Sequence, residues 1–128
     1  MKKIVLLVGV SYGLLSVVLG AFGAHAVKKI MSNDALQSFE TGVKYQMYHA
    51  LVLLMVGFYF TFSSKIENYM AWAFIIGTFL SSVSIYFLAL GKTWNHPMAW
   101  LGPITPLGGL LLIVGWALLM INIYNEIK

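Results

Sequence analysis

The sequence predicts an all-α polytopic membrane protein: four transmembrane helices in a compact bundle, with a short amphipathic interfacial helix between the first and second spans. Three observations carry this. Hydrophobic residues make up 60% of the 128 positions and charged residues only 9%, against roughly a quarter charged in soluble domains. The apolar residues fall into four segments, 4–27, 43–62, 69–90 and 98–124, each near the ~20 residues needed to cross a bilayer. The eight lysines, with no arginine, are spread over both ends and the three connections, which is the pattern of membrane flanks and not of a nucleic-acid surface. The four segments leave no room for a separate soluble domain, so residues 1–128 read as a single membrane domain. Cysteine is absent, which removes disulfides and thiolate metal sites.

Met1-Lys2-Lys3 and the following apolar run have the outline of a secretory signal, and Ala24-His25-Ala26 has a cleavable A-x-A form. The run is about twenty residues, longer than the 7 to 15 of a signal core, and reads as a retained first span. Along it Gly9, Gly13, Ser16, Gly20 and Ala24 recur at spacings of three and four. That periodicity places them on one face, and small residues let another helix approach closely where lipid removes the hydrophobic drive between helices.

In the first connection Ser32-Asn33-Asp34 is a helix start, followed by Ala35, Leu36, Phe39 and Val43 at helical spacing, which predicts the interfacial helix. The second span then opens with Lys44, Tyr45, Gln46, Tyr48 and His49. Lys44 can extend to the surface. His49 is about six residues in, roughly 9 Å at 1.5 Å per residue, and an ionisable group at that depth is a candidate functional residue. The structural alternative is a neutral imidazole hydrogen-bonded to a neighbouring helix.

The third span carries a second small stripe, Ala73, Gly77, Ser81 and Ser84, which makes it the expected partner of the first helix. In the fourth, Gly102-Pro103-Ile104-Thr105-Pro106-Leu107-Gly108-Gly109 predicts a distorted helix, since each proline removes a donor. Such a break is either a packing kink satisfied by Thr105 or a binding site of the kind built by discontinuous helices in transporters. Gly115 beside Trp116 offers a further close contact.

Four stretches carry a family resemblance: Gly20-Ala-Phe-Gly-Ala-His25, Thr41-Gly42-x-x-Tyr45-Gln46-x-x-His49, Ser82-x-Ser84-x-Tyr86-x-Leu88-Ala89-Leu90, and Thr105-Pro106-x-Gly108-Gly109 through Gly115-Trp116-Ala117-Leu118. The sequence resembles the domain-of-unknown-function family 423, small bacterial inner-membrane proteins similar to the mitochondrial transmembrane protein 256 group. The resemblance implies a four-helix membrane protein and transfers no activity, substrate or catalytic residue.

Four spans place both termini on one side. The lysines then divide evenly, Lys2, Lys3, Lys65 and Lys128 against Lys28, Lys29, Lys44 and Lys92; the pair before the first span favours termini in the cytoplasm. His25, His49 and His96 all belong to the opposite face. Three imidazoles can hold a metal or haem, but spacings of 24 and 47 match no ligand signature, so no metal or cofactor is expected.

Three function classes follow. The first is a non-enzymatic structural, assembly or envelope-support protein of the inner membrane, its partners being lipids, further copies of itself or other membrane proteins. The second is a transporter, channel or lipid-handling protein using a polar pocket of His25, Tyr45, Gln46, His49, Thr105 and Pro106. The third is a histidine-based enzyme or redox protein, disfavoured because the spans hold no Asp or Glu. The packing positions expected in every case are Gly9, Gly13, Ser16, Gly20, Ala24, Ala73, Gly77, Ser81, Ser84, Gly108, Gly109 and Gly115.

Overall fold

A computed structural model describes residues 1–127, which form four long antiparallel helices. Helix α1 spans Lys2–Val27, with a π turn at Leu19–Gly23. Helix α2 is Asn33–Tyr59, α3 is Lys65–Thr93 and α4 is Ile104–Ile127. Ends and crossings fix the order: Lys2 Nζ donates to the carbonyls of Phe58 and Phe60 at 3.3 and 3.0 Å, and Asn122 Nδ2 meets Met70 Sδ at 3.5 Å. The start of α1 and the end of α4 therefore lie at the same end of the molecule. Lys128, which the sequence groups with that end, lies outside the described residues.

Among the described residues α1, α3 and the stretch Ala99–Ile127 are long and apolar enough to cross a membrane by length and composition. Helix α2 is less apolar because of its polar entrance. It still must cross: α1 and α3 run in the same direction, and only α2 can return the chain between them. Its 27 residues span about 40 Å, more than the ~30 Å hydrocarbon core.

The interfacial helix expected between the first two spans is not a separate element. Ser32 is the N-cap, its hydroxyl accepting from the Ala35 amide at 3.2 Å, and the helix runs unbroken into the second span. Nothing in Thr41-Gly42-Val43 stops it. Gly42 lies against Tyr86 and Ile85, where a Cβ would come within 2.8 Å of the Tyr86 ring. Met31, Ala35, Phe39 and Ala89 form a small core beneath this end. At the opposite end Val5, Leu53, Val56, Phe60, Met70 and Phe74 form the larger one. Phe62 turns the chain between α2 and α3 with φ 60° and keeps its ring buried. Ser64 and Glu67 then start α3 with a reciprocal cap, Ser64 N–H to Glu67 Oε2 at 3.0 Å and Glu67 N–H to Ser64 Oγ at 3.2 Å.

Two packing expectations are corrected. The stripe of α1 meets α2, not α3: a Cβ at Gly9 would lie 3.1 Å from Leu53 Cβ, at Gly13 3.8 Å from Ala50 Cβ, and at Gly20 3.3 Å from Val43. The stripe of α3 serves α4. There Gly77 and Gly108 let the backbones touch, a Cβ on Gly108 falling 2.5 Å from the Ser81 amide nitrogen, and Gly115 accommodates the Phe74 ring. Ala50 and Leu53 fill α1's grooves and leave α3 free for the glycines of α4. Gly109 is not a packing position, because a Cβ there would meet nothing within 4 Å.

The fourth segment is interrupted at Gly102-Pro103, as its sequence suggests, but not at Pro106. Residues Ala99–Leu101 form a single 3-10 turn and α4 begins at Ile104. Pro103 precedes the helix and Pro106 is its third residue, where amides have no intrahelical acceptor to lose. The span of 98–124 expected from hydropathy thus splits into a short leading segment and a continuous helix.

Candidate functional site

Several polar residues of the spans face inward and hydrogen-bond across helices, whereas Tyr45 and Tyr48 are exposed and the buried Thr78 Oγ1 has no partner. Tyr86 on α3 donates its hydroxyl to Gln46 Oε1 on α2 at 2.7 Å. Gln46 Nε2 donates to the Tyr12 carbonyl on α1 at 2.9 Å, and the Tyr12 hydroxyl donates to the Ile75 carbonyl on α3 at 2.8 Å. Three helices are closed into a ring by three bonds. Ser82 adds a bond from its hydroxyl to the Gly42 carbonyl at 2.9 Å, and Ser84 and Thr105 share one at 2.6 Å that ties α4 to α3.

His49 is 5% exposed and sits between α2, α3 and α4. Its Nδ1 is 2.7 Å from the Tyr45 carbonyl one turn back. A carbonyl only accepts, so Nδ1 carries the proton and Nε2 presents its lone pair. Into that lone pair Trp116 donates its indole N–H at 3.1 Å. The imidazole is neutral in this arrangement and both nitrogens are committed. Phe74 and Trp116 enclose the ring, with centroids 5.9 and 6.0 Å away.

The six residues expected to form one pocket are dispersed. Tyr45, His49 and Pro106 line a groove of about 480 Å³ together with Gly109, Ile113 and Trp116. Gln46 points the other way, toward Tyr12 and Tyr86. Thr105 is turned to Ser84, and His25 is exposed beyond the π turn. Alternate sides of one helix separate Tyr45 and Gln46: adjacent residues are 100° apart. Among the described residues no three metal-ligating side chains cluster; His25 and His96 are exposed while His49 is enclosed.

The partners that complete these bonds, Tyr12, Tyr86, Ser82 and Trp116, are absent from the sequence-derived pocket. A signal for some of them existed. Tyr12 is four residues before Ser16 and three after Gly9, on the stripe side of α1, and Tyr86 is four after Ser82. Trp116 follows the close-contact Gly115, but nothing in the sequence ties it to His49, 67 residues earlier.

Fold and interior define a multi-pass α-helical membrane protein whose buried polar groups join helix to helix. The family model described as "Protein of unknown function (DUF423)" matches residues 19–109, and the chain belongs to that family. It is similar to a UPF0382 membrane protein of Staphylococcus haemolyticus, 37% identical over 123 residues that cover 96% of this chain and 97% of the relative. The UPF0382 membrane protein YwdK of Bacillus subtilis is likewise 37% identical, over 121 residues covering 93% and 94%. No solved structure matches the chain.

Proposed function

We propose that the chain is a non-enzymatic structural protein of the bacterial plasma membrane, a helix bundle that supports its own oligomer or the assembly of other membrane proteins, with both termini in the cytoplasm. The observation that supports this is the state of His49. A general base needs a free lone pair and a carrier needs an exchangeable one; here Trp116 occupies the lone pair and Tyr45 the proton. In addition, 17% of the apolar window of α1 and of α4 is buried, so two long helix faces are open to lipid or to neighbouring proteins.

Crosslinking in native membranes followed by native mass spectrometry tests the reading. Discrete homo-oligomers or defined protein partners are the expected result. A monomer with no partners at physiological expression overturns it.

A second reading, transport or ligand handling, is favoured by one feature, the groove beside His49 and Pro106. Four helices leave little room for a path, so this reading requires an oligomer. Flux in proteoliposomes that disappears in the His49→Phe variant would support it over the structural one.

A further inference from the structure

Helix α3 is longer than the membrane is thick. Its 29 residues extend about 43 Å, against ~30 Å of hydrocarbon. Counting about twenty residues from Asn68, the polar residue at its lower end, places the upper hydrocarbon boundary near residue 88. Lys92 then stands about 6 Å above it, in the head-group layer.

At that height the chain builds a cavity of about 370 Å³. One wall is the first turns of α2, with Asp34 and Ser38 on the same face; the other is the end of α3, with Lys92, above an apolar floor that includes Leu88 and Met98. The segment after α3 closes the third side. It is held there by the His96 amide donating to the Gly91 carbonyl at 2.8 Å, and by Gly91 itself, where a Cβ would fall 2.6 Å from the His96 carbonyl oxygen.

Met98 is also a wall of a second hollow, a groove of about 400 Å³ along the membrane-buried part of α3. Phe79, Val83 and Phe87 form its back, Trp100 and Ile104 its sides, and its lining is apolar throughout save Ser84, whose hydroxyl is turned to Thr105. It begins at the head-group level and reaches Phe79, about 13 Å deeper than Leu88 at 1.5 Å per residue.

We propose that the two hollows hold one zwitterionic phospholipid, its head group between Asp34 and Lys92 and an acyl chain passing Met98 into the groove. The charges select the occupant. Lys92 and the Ser38 hydroxyl donate to phosphodiester oxygens, and the Asp34 carboxylate receives the lipid ammonium. An anionic lipid satisfies Lys92 but is repelled by Asp34. Helix dipoles also favour an acid in the first turn of α2 and a base in the last turn of α3, which accounts for the two signs but not for a cavity between them or an apolar groove beside it.

The test uses the full chain in detergent, titrated with phosphatidylethanolamine or phosphatidylglycerol of matched acyl chains and read by native mass spectrometry. The intact protein retains phosphatidylethanolamine preferentially, and Asp34→Asn and Lys92→Gln each weaken that retention about tenfold, as expected for loss of a charge-assisted contact. Glu40→Gln and Lys44→Gln, at the same end but outside both hollows, leave it unchanged. Val83→Trp fills the groove and lowers retention of both lipids while preserving their ratio. Equal or stronger retention of phosphatidylglycerol overturns the proposal. So does a loss of thermal stability in the Asp34 and Lys92 variants with lipid preference unaltered, the outcome a dipole role alone produces.

Discussion

Replacing Gly108 by alanine tests the contact that joins α4 to the rest of the protein. The added methyl would lie 2.5 Å from the Ser81 nitrogen, 2.9 Å from the Gly77 oxygen and 2.9 Å from the Ser81 Cα. All three are backbone atoms of α3, so no side chain can rotate away. Carbon needs about 3.5 Å, so α4 must retreat by about 1 Å. Overpacking of this kind costs about 1 to 3 kcal/mol, and the retreat also stretches the Ser84–Thr105 bond of 2.6 Å one turn away, which adds about 0.6 kcal/mol for an interhelical bond in a membrane. Offset by up to about 1 kcal/mol from the better helix propensity of alanine, a net loss of about 1 to 3 kcal/mol is expected, measured by reversible unfolding in mixed micelles of mild and denaturing detergent. The neighbouring Gly109→Ala variant is the internal control. With nothing within 4 Å of its Cβ, it gains up to about 1 kcal/mol from the better helix propensity of alanine. Equal destabilisation of the two variants would refute the backbone-contact argument.

His49→Phe removes the acceptor for the Trp116 indole and should cost about 1 to 3 kcal/mol through the unsatisfied N–H; in a double-mutant cycle with Trp116→Phe the two losses couple by about 0.6 kcal/mol or more, and strict additivity argues against the bond. Pro106→Ala should leave unfolding within about 0.5 kcal/mol of the parent, as expected for a substitution away from any special feature, since at the third position of α4 there is no hydrogen bond to restore; a gain above 1 kcal/mol would mean that the proline interrupts a helix after all. Ser64→Ala, which deletes half of the reciprocal cap of α3, should cost about 1 kcal/mol, and amide exchange at Ile66 to Asn68 should quicken with it.

Hydropathy made the architecture legible because lipid leaves the chain few options: every backbone group in the hydrocarbon must be satisfied within a helix, so four apolar segments become four helices. Element boundaries were less legible. The polar run before Val43 resembles a separate interfacial helix, yet helix formation depends on backbone bonds that a polar face does not interrupt, and α2 extends from Asn33 straight through it. Of the two prolines of the fourth segment, Pro103 does mark an interruption, while Pro106, which reads as a break because periodicity cannot tell a helix interior from a helix start, lies in the first turn of α4. Partner choice was the least legible feature. Two small-residue stripes, on α1 and α3, each fit any close neighbour, and what assigns α3 to α4 is Gly108, whose lack of a side chain lets it sit on Gly77 and Ser81. For the candidate pocket the sequence put Tyr45, Gln46 and His49 in one group by proximity, and the 100° step of the helix sends Gln46 to α1 and α3 while His49 goes to α4.

That division explains how so small a bundle fixes one arrangement. Apolar contact in lipid discriminates poorly, since a leucine gains little by leaving an acyl chain for another leucine. Register must then come from backbone contact and from polar groups that have no partner elsewhere. Gln46 has both ends of its amide engaged on two helices, so sliding α1 past α2 by one turn would break the bond to the Tyr12 carbonyl, and moving α3 would break that to Tyr86. His49 and Trp116 do the same for α4, which otherwise touches only α3 closely. The two polar side chains 5% exposed on α2 thus locate the other three helices, and α2, the least apolar span, is the one on which the rest are registered.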